Sequence, residues 1–485
     1  MTKRILFFIT FISILSTAKA TDRNFNITIH VNGIRDTIAI LAYNYGEKKL
    51  IADTIQFDSK GKAVISGTKS YEDGIYLLAF PSFDLRSFDF IIRETNFELS
   101  TDTADFVGAM KVKGSQENQL FYDDVKMGIK VNKTIDSLNN IANNETLSDQ
   151  VREQAEEERN KVSEEYIQKR LKSIEEKPHL LYNKVLNVLR DVPVSATPTD
   201  ADGKPVENYG YQYFIHHYWD YVDFTDPALI RTPVLLPKIN RFLDQMVIPH
   251  PDSLIVAVDV ILEKALPTEE TFKALLSEIF VKYARSNIMG QEAIYVHMID
   301  KYYAQGKAPW TDQESLKKML DRAEALRPTL IGKIAPDINV YNLSNQPINF
   351  YKAIEKNDYT ILVFWNSECG HCKKEIPLLK KIWTDSLQSY NVGVFSVSTE
   401  IEKEHAQKFI EENGIEKIWT NGYDPTGRSN FRKLYDILST PVVVILDKDK
   451  RIIGKKIAVK DIRYIIESHH EYLKSQASKT TSTGQ

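Results

Sequence analysis

Two cysteines, Cys369 and Cys372, are the residues whose type and spacing indicate chemistry, and the 485-residue chain has no others. A disulfide between them would close a very small loop and constrain the unfolded chain little, which argues against a structural staple. An exported protein stapled by disulfides would normally spread several cysteines along its length. The pair is therefore predicted to be a redox-active dithiol that forms a reversible Cys369–Cys372 disulfide.

Other uses of a paired cysteine fit the sequence less well. A structural zinc site needs more ligands than one Cys pair supplies, and the chain has no second pair. Covalent haem attachment requires a histidine directly after the second cysteine, where this chain has Lys373. We therefore expect no metal and no cofactor.

The elements around the pair explain its predicted reactivity. The apolar run Tyr359–Trp365 predicts a central strand that is covered on both faces. A helix is predicted from about residue 370 to 387, so Cys369 lies where a buried strand leads into a helix N-terminus. The free N–H groups and partial positive charge there favour the thiolate, which is the nucleophile. Cys369 is thus expected to attack, and Cys372, nearly one turn later, to resolve the mixed disulfide.

The segment from 332 to 470 resembles the thioredoxin superfamily, and within it the exported thiol–disulfide oxidoreductases similar to bacterial cytochrome-maturation thioredoxins. The resemblance covers about 140 of the 485 residues, and the rest of the chain inherits nothing from it. It is carried by four motifs: Ala335-Pro-Asp337, Cys369-Gly-His-Cys-Lys-Lys-Glu-Ile-Pro377, Asp424-Pro-Thr-Gly427 and Thr440-Pro-Val-Val-Val-Ile-Leu-Asp447. A peroxidatic cysteine is less consistent with the sequence, because the Pro and Thr that precede it in peroxiredoxins are missing.

The resemblance implies roles for residues beyond the cysteines. Pro441 matches the superfamily's cis-proline, whose loop faces the dithiol and binds substrate; a trans proline that opens an edge strand is the alternative. Thr440 and Trp365 are expected to contact substrate with it. Glu375 matches an acidic residue that would shuttle the proton of Cys372, or it is simply a surface acid in a first helical turn.

Gly370 and His371, between the cysteines, are expected to tune the redox potential. Gly-His is the pair found in protein disulfide isomerases, whose reduction potential is about −180 mV, compared with about −270 mV for thioredoxin. Glu368, just before the motif, is expected to offset this effect. The cytosolic thioredoxin pattern also has a buried Asp where this chain has Val363, so that proton relay is either replaced by Glu375 or absent. The direction of electron flow stays open.

Residues 1–20 have the organisation of a secretory signal peptide. A basic pair at 3–4 precedes an apolar run at 5–15, and Ala18-Lys19-Ala20 supplies small residues for cleavage after Ala20. The run is shorter than the about 20 residues of a transmembrane helix. An uncleaved anchor or a buried N-terminal helix is the alternative. We expect the protein in the periplasm, with secretion or attachment to the envelope as further options.

The whole chain is predicted to be multidomain. A β-rich N-terminal domain, a sandwich or barrel, is expected over residues 21–114, because short alternating apolar runs are separated by turn formers. A mainly helical domain is expected over 115–330, an α/β thioredoxin-like domain over 331–472 and a flexible tail over 473–485. One predicted helix, 149–177, carries an apolar stripe: Val151, Ala155, Val162, Ile167, Leu171 and Ile174.

Together these features predict an exported thiol–disulfide oxidoreductase that exchanges disulfides with partner proteins. Its expected partners are protein dithiols or disulfides and a membrane or periplasmic redox protein. Nucleic acid is not an expected partner, because the net charge is −4 and basic residues form no block. The alternative is a non-catalytic envelope binding or assembly protein that uses the dithiol as a redox switch. Substrate identity, electron donor and oligomeric state do not follow from the sequence.

Overall fold

A computed structural model of the protein describes residues 23–69, 71–194 and 196–482. The predicted signal peptide, residues 1–20, lies outside the described residues. The chain divides into two compact units: the first runs to residue 249 and includes 256–278, and the second holds 250–255 and everything from 279 onward. Within the described ranges, no helix is both long enough and apolar enough to span a membrane.

The N-terminal part of the first unit is a β-sandwich. Its strands are β1 (Arg23–Asn32), β2 (Ile38–Tyr45), β3 (Lys48–Gln56), β4 (Lys62–Lys69), β5 (Gly74–Phe80), β6 (Arg86–Ile92), β7 (Asn96–Asp102) and β8 (Lys111–Lys113). They form two four-stranded sheets, in the orders β4-β1-β7-β8 and β3-β2-β5-β6. Alternate residues from both sheets enter one core, as period-2 patterning requires. The β-rich prediction is confirmed, and the sandwich is the form observed.

Helices follow this sandwich, as the sequence predicts. Their bounds are α1 (Gln116–Ala142), α2 (Asp149–Glu176), α3 (Leu181–Leu189), α4 (Tyr209–His217), α5 (Leu235–Arg241), α6 (Pro251–Ala265), α7 (Glu269–Ala284), α8 (Glu292–Met298) and α9 (Gln313–Leu326). The predicted stripe on α2 does not form a buried face, because only Ala155 in that helix is buried. Helix α2 packs mainly along α1, and most of its own residues are exposed.

The C-terminal part of the second unit is an α/β domain. Its strands are β9 (Asn339–Tyr341), β10 (Pro347–Asn349), β11 (Tyr359–Trp365), β12 (Val392–Ser398), β13 (Thr420–Tyr423), β14 (Val442–Asp447) and β15 (Ile452–Lys455). Its helices are α10 (Phe350–Ala353), α11 (Cys372–Ile382), α12 (Lys403–Asn413), α13 (Phe431–Leu434) and α14 (Ile462–Ser482). The seven strands form one sheet, in the order β10-β9-β13-β12-β11-β14-β15.

Strand β11 is the centre of this domain, as predicted. It pairs in parallel with β12 and antiparallel with β14, and all seven of its residues are buried. Its side chains alternate between two hydrophobic cores: Ile361, Val363 and Trp365 enter one core, and Leu362 and Phe364 the other. Coverage on both faces explains why the strand has a continuous apolar run.

Two predicted boundaries in this domain differ from the structure. The helix expected from 370 to 387 is α-helical only over Cys372–Ile382, and a π-helical turn follows over Trp383–Leu387. Helix α14 continues to Ser482, through most of the segment expected to be a flexible tail. That segment is rich in Ser and Thr, which favour helices less than Leu, Lys, Gln and Ala do, but it holds no Gly or Pro before Gly484 that would end the helix.

Candidate active site

The site begins where the central strand ends. The loop 366–371 joins β11 to α11, and the Asn366 carbonyl accepts a hydrogen bond from the Cys369 N–H at 3.2 Å. The Asn366 side chain accepts another from the Glu368 N–H at 2.9 Å. The neighbouring strand supports the same corner, because the Thr399 N–H donates to the Trp365 carbonyl at 2.8 Å. This bonding fixes the backbone that presents Cys369.

The two cysteines occupy different environments. Cys369 is partly exposed, whereas Cys372 is fully buried against the core behind α11, and both are free thiols. Partial burial acts to raise the pKa of Cys369, but hydrogen bonds from the Cys372 N–H, the Thr440 side chain, the Cys372 thiol and the His371 N–H together lower it. Burial raises the pKa of Cys372 to about 11. At neutral pH the exposed sulfur is therefore the better nucleophile.

The loop before β14 meets the dithiol. The Thr440–Pro441 peptide bond is cis, as predicted. The Cys369 thiol lies 3.1 Å from the Thr440 carbonyl oxygen, to which it donates a hydrogen bond. The structure thus brings together four of the predicted site residues: Cys369, Cys372, Thr440 and Pro441.

The remaining predicted residues lie at or near the start of α11. Gly370 and His371 are exposed between the cysteines, and no atom lies within 4 Å of where a Cβ at Gly370 would stand. Glu375 is half-buried in the first turn of α11. In the described part of the chain, no hydrogen bond joins its carboxylate to either cysteine, so its proton-shuttle role stays a prediction.

Trp365 requires a correction. We expected it to contact substrate, but its side chain is fully buried. Its ring stacks on Phe409 with centroids 4.4 Å apart, and its indole N–H donates to the Ser396 hydroxyl at 2.7 Å. Because the strand alternation directs residue 365 into the core behind the sheet, Trp365 supports the site from within.

Glu400 is a residue of this corner that the sequence analysis missed. Its carboxylate, with 9% of the side chain exposed, accepts hydrogen bonds from the Ser367 N–H at 3.1 Å and the Ser398 hydroxyl at 3.2 Å. The Ser367 hydroxyl donates to it as well, at 2.5 Å. Glu400 follows the carboxyl end of β12, and parallel neighbours end at the same edge of a sheet, which is the signal that identifies it.

A cavity of about 410 Å³ opens beside the cis-proline loop. It is lined by Asp436, Leu438, Ser439, Pro441, Val442, Lys456, Ile457 and Ala458. Leu438 is 80% exposed, although it is apolar. No group of three or more His, Cys, Asp or Glu side chains able to hold a metal occurs among the described residues.

Three family models match consecutive parts of the chain. Residues 331–455 match the AhpC/TSA family, residues 25–121 a domain of unknown function, DUF4369, and residues 148–327 another, DUF5106. The C-terminal domain belongs to the thioredoxin superfamily. The predicted class of enzyme, a thiol–disulfide oxidoreductase of the thioredoxin type, is confirmed at this level.

Solved structures of several bacterial proteins are similar to parts of the chain. A domain described as a possible thiol–disulfide isomerase from Cytophaga hutchinsonii is 33% identical, with a TM-score of 0.28, over 30% of this chain and 97% of its own. A thioredoxin-like protein from Bacteroides caccae is 20% identical, with a TM-score of 0.43, over 57% of this chain and 99% of its own. The thioredoxin domain of a Bacteroides vulgatus thiol–disulfide oxidoreductase is 24% identical, with a TM-score of 0.26, over 29% and 96%. No curated protein matches the chain.

Proposed function

We propose that the thioredoxin-like domain exchanges disulfides with partner proteins through Cys369 and Cys372. The observation that carries the proposal is the contrast between the two thiols: Cys369 is partly exposed with a lowered pKa, and Cys372 is buried with a raised one. A dithiol that served only as a staple would need neither an accessible sulfur nor a neighbouring cis-proline loop.

In the first step, the Cys369 thiolate attacks one sulfur of a substrate disulfide. A new disulfide forms between Cys369 and the substrate, and the other substrate sulfur leaves as a thiolate. The Thr440 carbonyl, 3.1 Å from the Cys369 sulfur, belongs to the loop whose backbone holds the extended substrate. The exposed Leu438 adds an apolar surface for that substrate at the same loop.

In the second step, Cys372 loses its proton and attacks the Cys369 sulfur. The Cys369–Cys372 disulfide forms, and the second substrate sulfur leaves as a thiolate. Because the pKa of Cys372 is raised to about 11, this step needs a base, and Glu375 in the first turn of α11 is our candidate. A dithiol partner then reduces the pair again, and the reverse sequence oxidises a substrate dithiol.

Export is part of the same proposal. The signal peptide proposed for residues 1–20 would deliver the protein to the periplasm, where protein disulfides form and persist. We propose periplasmic protein disulfides as the substrates and a membrane or periplasmic dithiol protein as the electron donor.

A trapping experiment tests the proposal. Cys372→Ala removes the resolving sulfur, so mixed disulfides with partner proteins should accumulate and be released by dithiothreitol. Cys369→Ser is the matched control and should trap none. The unsubstituted protein should also catalyse reduction of insulin by dithiothreitol. Absence of both trapped complexes and insulin reduction would overturn the enzyme assignment.

The alternative, a redox-switch binding protein, gives a different result in the same samples. Oxidation would change its affinity for a partner without turnover. Measuring binding in both redox states beside the insulin assay therefore separates the two functions.

A further inference from the structure

Two loops border the cavity beside the dithiol, and one carboxylate ties them together. Asp436 begins the segment that leads to the cis Thr440–Pro441 bond, and Lys456 follows the last strand, β15. Both residues line the cavity. The Lys456 ammonium contacts an Asp436 carboxylate oxygen at 2.9 Å. Asp436 thus links the cis-proline loop to the loop on the far side of the cavity.

The strongest partner of Asp436 comes from a helix before the thioredoxin-like domain. Arg322, on α9, donates to both carboxylate oxygens, and its Nη2 lies 3.0 Å from Oδ2. The Asp436 side chain is only 2% exposed. Burial acts to raise its pKa, but hydrogen bonds from Arg322 and Lys456 hold that pKa below its usual value, so the carboxylate is charged at neutral pH.

A second contact reaches the same region of the domain. The Lys455 ammonium, whose side chain is 3% exposed, lies 2.8 Å from the Glu292 carboxylate of α8. It also donates to the Thr329 hydroxyl at 2.9 Å. Helices from the segment before the domain therefore hold both cavity loops. Arg322 and Glu292 fall within residues 148–327, which match a family of unknown function.

We propose that Arg322 is a positioning residue for the active site, acting through Asp436 on the loop that carries Thr440. A guanidinium fork on a buried carboxylate restricts both distance and orientation, which a single ammonium does not. When this loop is fixed, Thr440 stays in contact with the Cys369 sulfur, and the surface of the loop that is proposed to bind substrate keeps its shape. The effect on substrate binding rests on the proposed function, whereas the contact with Cys369 does not.

The chain offers conservative variants and a matched control. Asp436→Asn removes the charge but tolerates the left-handed backbone at this position, φ 53°. Arg322→Ala removes the fork, and Arg322→Lys keeps the charge without it. Arg327, just beyond the end of α9, makes a contact of the same two-bond geometry with Asp300, at 2.6 and 2.9 Å, but both of these side chains are more than 40% exposed. Arg327→Ala is therefore the control for losing such a pair away from the loop.

The readouts are made on the full, reduced protein. The pH dependence of Cys369 alkylation by iodoacetamide, located by peptide mass spectrometry, reports its thiolate. The Thr440 side chain, on the loop that Asp436 holds, contributes to the lowered pKa of Cys369, so loosening this loop in Arg322→Ala should raise the midpoint toward that of an ordinary thiol. Amide hydrogen exchange over residues 437–441 should become faster. Insulin reduction should lose about threefold to tenfold in kcat/KM, mainly through KM.

The expected pattern separates positioning from general loss of structure. Arg322→Lys should lie between the unsubstituted protein and Arg322→Ala, and Arg327→Ala should match the unsubstituted protein. The double variant Arg322→Ala/Asp436→Asn should be no worse than the worse single variant. An unchanged alkylation midpoint and unchanged exchange in Arg322→Ala, or strictly additive effects in the double variant, would overturn the inference. If Cys372→Ala traps no partner and the unsubstituted protein does not reduce insulin, the proposed function fails, and the alkylation and exchange measurements still decide the role of Arg322.

Discussion

At the scale of single residues, the site separates the two halves of a thiol–disulfide exchange. Hydrogen bonds at the helix start lower the pKa of Cys369, and burial raises that of Cys372. The first attack therefore starts from the thiol that ionises more readily, whereas the second starts from a thiol that needs a base. Val363, at the position of the buried Asp of cytosolic thioredoxins, is itself fully buried in an apolar core, which leaves no carboxylate there.

Glu375→Gln tests whether Glu375 supplies that base. The substitution keeps the shape of the side chain but removes its ability to accept a proton at neutral pH. We expect the mixed disulfide between Cys369 and a substrate to live at least about tenfold longer, with the initial attack unchanged. Rapid mixing with an aromatic disulfide, whose released thiolate absorbs, separates the two steps. Glu368→Gln, at an exposed position outside α11, is the control. If the mixed disulfide is resolved at equal rates in both variants, Glu375 is a surface acid without a role as the base.

Residue-level prediction from sequence succeeded where a structural feature is encoded in a contiguous motif. The cis bond before Pro441 and the burial of Cys372 behind a partly exposed Cys369 are of this kind, whereas the redox role of the pair stays a prediction. Trp365 was assigned wrongly, because adjacency to the motif says nothing about which face of β11 the side chain occupies. Glu400 was missed because its contact with Ser367 joins residues 33 positions apart. Such contacts depend on the order of the strands in the sheet. The residues next to Glu400 in a single sequence carry little information about that order.

At the scale of elements, apolar patterning predicted the strands better than the burial of the helices. In β1 the alternation of Phe25, Ile27, Ile29 and Val31 corresponds to a fully buried face. On α2 a similar stripe is mostly half-buried or exposed, and only Ala155 is buried, because the helix packs mainly along α1. A pattern indicates which face is able to pack, but the neighbours of the element decide whether it does.

Asn118 shows how one side chain attaches a helix to a sheet. Strand β6 is at an edge, and its Ile91 exchanges two hydrogen bonds of 2.8 Å with the buried Asn118 amide of α1. Asn118→Ala would leave the Ile91 N–H and C=O buried without partners, so we expect the free energy of unfolding to fall by about 2–4 kcal/mol. Urea denaturation measures this. Asn132→Ala, at an exposed position of α1, should change stability by less than about 0.5 kcal/mol, and equal effects would contradict the argument.

At the scale of the whole molecule, three family models follow one another along the chain, while the contacts group it into two compact units. The domain boundaries read from the sequence remain a prediction, because the units divide the helical region near residue 278. The contact between Arg322 and Asp436, 114 positions apart, lies within the second unit. The family models match separate segments and therefore do not indicate this side-chain contact, which joins the helical segment to the cis-proline loop.

Export is the prediction that concerns the protein as a whole, since protein disulfides, the proposed substrates, form and persist in the periplasm. When the printed sequence is expressed in a Gram-negative bacterium, the protein should be recovered in the periplasm. Its mass should be that of a chain that begins at Thr21. Cleavage there removes three basic residues, Lys3, Arg4 and Lys19, so the mature chain is more acidic than the precursor. Ala20→Arg, which places a bulky charge at the cleavage site, should leave the precursor uncleaved. Thr21→Ser, one residue beyond, should be processed normally, and full-length protein in the cytosol would contradict the periplasmic assignment.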